Sequence, residues 1–425
     1  MFNSPASSAI GRRRSALAVI TFLALIGLGV VISAGLGSAA TTAPAAVTDY
    51  VKFVGGKKGK ANAKLSPIVI GWINQQGGQV EIGPNATPAA EIAVKYTNDS
   101  LGGIHGHRLV LKECFIRNTE EEGTKCGQAM ANDKRISVVL IGGLVIGNQS
   151  LYAALGGKKP IVGSVVVLPV DEQQKNEFAL FGSGSSVLSP YGTFARDTLH
   201  AKDAAVVYPQ VPGIAENATV IANALKKAGI SAKQVGYDPN ATDLVGPLTA
   251  AGAQNADVTV VQSNAAGCVG MAKALQQLGS KTKVLTNPLC LDPEVAKGLG
   301  GDYPKWIYAI ASSLGFDTGD KSVPPARAVF KKYGKLILTN DPWFIAFGQT
   351  LTVVKWLNAI GPGKITPSAV TKQARAFRGP VPLGAPQVQC GKDKTRPAVC
   401  NDRTQFFEYQ GAGKFKRLSG FVQPP

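Results

Sequence analysis

The sequence is poor in the side chains that most often carry chemistry. It has three histidines, His105, His107 and His200, and the first two share the turn GGIHGHR, which reads as a surface reversal rather than an acid–base or metal pair. Its six cysteines show no CxxC spacing and have no helping histidines, so no metal is expected. Gly182–Ser186 (GSGSS) lacks the Lys-Ser/Thr pair of a phosphate loop, and no G-x-S-x-G elbow leads into a helix. Nothing pairs a nucleophile with its base, so neither an enzyme nor a cofactor is expected. Acids are scarce too: 27 Asp and Glu face 45 Lys and Arg, a formal net charge of +18. Residues 1–66 hold eight of the basic residues and one acid, which leaves +11 on the rest. Those cations are scattered rather than clustered with aromatics, which describes a solvated basic surface and not a nucleic-acid site. Attraction to anionic envelope polymers or lipids stays open. No cysteine precedes Cys114, which excludes a lipid-bearing cysteine near the start of the chain.

What is present is enough apolar material for two cores: 425 residues, 45% hydrophobic and 17% charged. Residues 1–40 read as an export signal, with Arg12–Arg14 ahead of the apolar run Ser15–Leu36 and the small residues GSAA before Thr41. The run has 22 residues, and at about 1.5 Å each it could cross a core roughly 30 Å thick. Left uncleaved, it would be an N-terminal membrane anchor with the body outside. Either way the body is exported, to the cell envelope or beyond. Residues 41–66, rich in Thr, Ala, Gly and Lys, read as a linker, with Tyr50–Val54 a candidate edge strand.

The stretch Pro67–Phe115 organises the rest. Ile68, Val69, Ile70 and Trp72 form a strand that stops at a polar Gly turn, Ala89–Tyr96 has helical spacing, and RLVLKECF alternates as a second strand. This is a βαβ unit, and in open parallel sheets ligands bind at the carboxyl ends of the strands. From Ser137 strands and helices alternate to Asn287, and the tail FFEYQGAGKFKRL has hairpin composition around Gly411 and Gly413. The fold class is therefore α/β. An even cysteine number in an exported chain predicts disulfides, for which six cysteines allow 15 pairings.

A strand ending in IGWINQQGG, a helix, then NDSLGGIHGHRLVL and a Cys resembles the opening of type I periplasmic binding proteins. It is most similar to the branched-chain amino acid (Leu/Ile/Val) substrate-binding proteins of ABC transporters. The resemblance implies two doubly wound parallel-sheet lobes joined by three crossover strands, a Venus flytrap. Lobe one would take residues 67–186 and 312–390, lobe two residues 187–311 and 391–425. It also implies sequential disulfides: Cys114 with Cys126, Cys268 with Cys290, Cys390 with Cys400.

The same resemblance places ligand contacts on the loops after the strands: Gln75, Gln76, Ile82, Val145, Ile146, Val166, Val167, Gln210, Asn264 and Leu289, with Phe347 beside them. The serine that holds an amino acid's carboxylate in the family falls on Ile146, the threonine near Val167, and the acid that holds its ammonium near Leu289. Backbone amides at Val145–Gly147 could still hold an anion, but a buried ammonium without its carboxylate loses several kcal/mol. An ordinary α-amino acid is disfavoured by roughly 30-fold or more. The expected ligand is a small molecule with an apolar body and few charges, such as an aromatic or aliphatic acid, an amide or a short lipid-like compound. The expected partner is an ABC permease in the membrane. The alternative role is a membrane-anchored ligand-sensing receptor domain of the same fold.

Overall fold

The computed structural model describes residues 46–78, 83–166, 168–211, 213–315, 317, 319–334 and 344–425. The export segment, the apolar run, Ile82, Val167 and the start of the helix expected from Trp343 lie outside the described residues. Among the described residues no helix is long and apolar enough to cross a membrane.

Two sheets carry the architecture. The first contains β1 (Ile68–Gln75), β2 (Leu109–Ile116), β3 (Ile136–Ile141), β4 (Ile161–Gly163) and β5 (Glu177–Ala179). Its order is β2-β1-β3-β4-β5 and every pairing is parallel. The second contains β6 (Asp203–Pro209), β7 (Ser231–Tyr237), β8 (Val258–Val261), β9 (Lys283–Thr286), β10 (Ile307–Ile310), β11 (Gln405–Gly411) and β12 (Lys414–Arg417), in the order β12-β11-β10-β9-β8-β6-β7. It is parallel from β7 to β10, and the tail adds the expected antiparallel hairpin at the other edge.

A parallel sheet is covered on both faces, so its strands are apolar throughout. All but the first residue of β1 are buried, and so is all of β3. One face of the first sheet is closed by the helices Ala86–Ser100 and Ile345–Ile360. The second of these is buried on nearly every side, as a helix apolar all round must be. Gln349, midway along it, donates from Nε2 to the carbonyls of Ile141 (2.9 Å) and Val162 (2.6 Å), fixing the helix against β3 and β4.

The chain passes between the sheets three times: after β5, after β10 and before β11. All three sequential disulfides are present. They tie β2 to the helix Glu120–Asn132, and the helix Ala265–Gln277 to the turn Pro288–Leu291, and they close the loop between residues 390 and 400.

Three expectations change. Tyr50–Val54 is a helix, not an edge strand, because Asp49 accepts from Lys52 N–H at its start and Gly55 takes a left-handed conformation at its end. Spacing then puts Tyr50, Phe53 and Val54 on one buried face, so this part of the expected linker is core, held by Lys355 and Asn358 donating to the carbonyls of Phe53 and Val54. Residues 398–400, expected with the second lobe, hydrogen-bond along Ala179 of β5 instead. Phe347, expected in the ligand cleft, is fully buried between Tyr50, Tyr96 and Phe330, with ring centroids 5.4, 6.4 and 5.3 Å away. Phe347→Ala should therefore lower stability in chemical denaturation by about 3–5 kcal/mol, and a loss under 1 kcal/mol would contradict a core role.

Candidate functional site

Parallel strands end on a common side. β1, β3 and β4 finish at Gln75, Ile141 and Gly163, and the segments after them gather along one edge of the first sheet. β6, β8 and β9 finish at Pro209, Val261 and Thr286 and do the same for the second.

The first edge is held by side-chain amides. Asn74 is fully buried, accepts from Gly143 N–H (2.8 Å) and donates to Gly83 O (3.2 Å) and Gln76 Oε1 (2.8 Å). Gln76 Oε1 also accepts from the Thr87 hydroxyl (2.5 Å), which in turn accepts from the Trp72 indole (2.8 Å). Gln75, expected to meet a ligand, is fully buried, and its Oε1 accepts from the backbone N–H groups of Val145 (2.9 Å) and Ile146 (3.2 Å). The next amide, Gly147, donates to the Glu120 carboxylate at 2.8 Å, and Ser150 N–H does so at 3.3 Å. Burial alone would raise the Glu120 pKa, but these hydrogen bonds and that of the Ser150 hydroxyl hold it below the usual value.

The amides of Val145–Gly147 are thus engaged from within the protein. The expectation that they hold a ligand anion is corrected: the positive end of the helix Asn148–Leu155 already faces a carboxylate. Val166 is buried and its backbone bridges Ser183 in the first pass between sheets.

A second knot lies beneath this edge. Asp171 accepts from Asn148 Nδ2 (2.7 Å), the Tyr152 hydroxyl (2.8 Å) and Leu168 N–H (2.9 Å). Beside it the Glu177 carboxyl is fully buried, with the Tyr152 hydroxyl as its neighbouring donor. Burial first, and the negative charge of Asp171 second, push its pKa well above the ordinary value against the opposing pull of the Tyr152 hydroxyl. Gly163 makes room for it: a Cβ there would stand 2.8 Å from Glu177 Oε1.

The second edge is more open. Asn264 is exposed, and its Oδ1 caps the following helix through Gly267 N–H (3.0 Å). Asn287 caps the next turn through Leu289 N–H (2.9 Å) and donates to Gln262 Oε1 (3.1 Å). Gln210 is exposed over Gly236, and the Tyr237 and Ser263 hydroxyls meet at 2.9 Å. Leu289 is 53% exposed and Val211 38%, both on this edge. Among the described residues of 75–83, 142–148, 165–166, 208–213, 262–268 and 287–291 no side chain is charged. Cavities of about 580, 330 and 300 Å³ occur, but none lies at these strand ends.

The structure therefore brings Gln75, Gln76, Val145 and Ile146 together on one edge and Gln210, Asn264 and Leu289 on the other, and leaves Phe347 apart. Sequence reasoning missed Asn74, Thr87, Glu120, Asp171 and Glu177. The Asn that ends an apolar run and the acid-rich helix start TEEE, with its Thr119–Glu122 capping box, were the available signals.

Two α/β sheets crossed three times by the chain, with loops gathered on their carboxyl edges, define a type I binding-protein fold. The chain belongs to the periplasmic binding protein family, whose model matches residues 67–401. No protein among the curated sequences matches it. Among solved structures it is similar to a leucine binding protein from Thermotoga maritima, at 13% identity and TM-score 0.65, over 84% of this chain and 99% of that one. It is also similar to a fatty acid ABC transporter substrate-binding protein from Thermomonospora curvata, at 15% and 0.61, over 87% and 95%. A third is an ABC transporter solute-binding protein from R. palustris in complex with benzoate, at 12% and 0.62, over 84% and 97%.

The raised pKa of Glu177 has a pH signature. Its pKa in the fold lies above the 4.5 of a free side chain, so the folded protein binds the extra proton and stability falls as pH rises past 4.5. Glu177→Gln should raise the melting temperature at pH 8 and lose that advantage at pH 4, the gap growing by about 1.4 kcal/mol per pH unit between the two pKa values. A gap that does not change with pH would refute the assignment.

Proposed function

We propose that the chain captures a small ligand with an apolar body and few charges between the two strand edges and delivers it to an ABC permease. The carrying observation is the pair Leu289 and Val211, left exposed on an edge whose described loops hold no charge. Fully burying a leucine side chain contributes about 1.5–3 kcal/mol, so a ligand that covers Leu289 gains affinity that an ion cannot. Closure needs contacts made only in the shut state, and the amide side chains Gln76, Gln210 and Asn264 would orient a few polar groups.

An ordinary α-amino acid fits poorly. The family resemblance puts the ammonium-holding acid near Leu289 and the carboxylate-holding serine on Ile146, neither of them polar, and the amides nearby are taken by Gln75 and Glu120. Fatty acid and benzoate, which name two of the structural neighbours, are apolar-bodied compounds of the class proposed here. The reading is of capture without turnover, by an exported protein. Ser15–Leu36, retained, would make it a tethered receptor.

Protein unfolded and refolded with its disulfides intact, and so free of carried-over ligand, should be screened by thermal shift against aromatic and medium-chain aliphatic acids and amides. Hits are expected in that set, and Leu289→Asp should weaken them by about tenfold or more. Tight calorimetric binding of leucine, isoleucine or valine would overturn the ligand class.

A further inference from the structure

The largest of these cavities, about 580 Å³, lies beside the Cys390–Cys400 disulfide, within the size range of small-ligand sites. We propose that it is a second binding site, for a small phosphate-bearing anion. Its wall carries four cations, Arg378, Lys392, Arg396 and Arg403, against two acids, Asp393 and Asp402, and no aromatic ring. Both acids are already committed. Asp393 pairs with Arg396 at 2.7 Å and Asp402 with Lys392 at 3.4 Å. Arg378 and Arg403 have no carboxylate within ion-pair distance among the described residues.

Neutral acceptors nevertheless orient both guanidinium groups. Arg378 Nη1 donates to the carbonyls of Arg375 (2.8 Å) and Phe377 (2.9 Å). With the Gln423 amide turned so that its oxygen faces the guanidinium, the orientation that satisfies both groups, Arg403 donates to that oxygen from Nη2 (2.7 Å) and Nε (3.2 Å). Such contacts fix a fork's direction without cancelling its charge. An arginine fork held this way is prepared for the paired oxygens of a phosphate, to which guanidinium is matched in geometry and charge.

The position adds a consequence. On one side, Ala398 and Cys400 hydrogen-bond to Ala179 of β5. On the other, Arg403 precedes Thr404, which exchanges hydrogen bonds with Val422 (3.1 and 2.8 Å) next to the second sheet. The cavity therefore lies along the third pass between the sheets, and an anion held by Arg378 and Arg403 ties the two ends of that pass together.

The test is calorimetry of the full chain with inorganic phosphate at low salt, in parallel with flotation on phosphatidylglycerol vesicles. Saturable one-to-one phosphate binding is expected, weakened about tenfold or more by Arg378→Gln and by Arg403→Gln. Arg403→Lys, which keeps the charge and loses the fork, should fall between, and Lys226→Gln, a charge loss at an exposed residue that is not part of the cavity wall, should stay within twofold. Vesicle binding that both Gln variants abolish, without binding of free phosphate, would identify a lipid headgroup as the source of the same chemistry. Absence of saturable binding to either probe, or an equal loss in Lys226→Gln, overturns the proposal. Melting curves of each variant exclude loss of folding as the cause.

Discussion

The contact between Gln349 and the carbonyls of Ile141 and Val162 expresses the constraint on which the rest of the structure depends. A parallel sheet has two apolar faces, and the first sheet closes one of them with a helix that the chain supplies only after it has built most of the second. Neither half is complete from a single stretch of sequence. The chain must return, and then leave again to add the hairpin β11–β12. The three passes are the geometric result of that debt, and the carboxyl edges keep their positions because helix and strands are locked by buried hydrogen bonds rather than by apolar contact alone.

The same economy shapes the candidate site. Polar groups at the first edge are paired with one another: Asn74 with Gly143, Gln75 with Val145 and Ile146, Glu120 with Gly147. A buried donor left unpaired costs about 1–3 kcal/mol, so a loop whose amides are satisfied internally is stable without ligand. One edge has its polar groups paired within the protein, and the other leaves Leu289 and Val211 in water beside hydrogen-bonded amides and hydroxyls.

Much of this was legible in the sequence, for reasons that can be stated. The run from Ile68 to Trp72, the hairpin composition around Gly411 and Gly413, and the even cysteine count carry strong local signals, and strands, hairpin and disulfides follow them. Tyr50–Val54 misled because its composition is that of a strand, while its conformation is decided by the Asp49 and Gly55 caps on either side. Phe347 misled because a helix buried on all sides has no polar face from which to read orientation. The engaged amides of Val145–Gly147 could not be read at all. Their partners Gln75 and Glu120 are distant in sequence, and only the fold brings them together.

The separation between Gln349 and Ile141, 208 residues, matters for how the protein is made. Synthesis delivers β1 to β5 and the helix Ala86–Ser100 long before Ile345–Ile360, so a chain folding as it emerged would keep part of one apolar face bare until that late helix arrived.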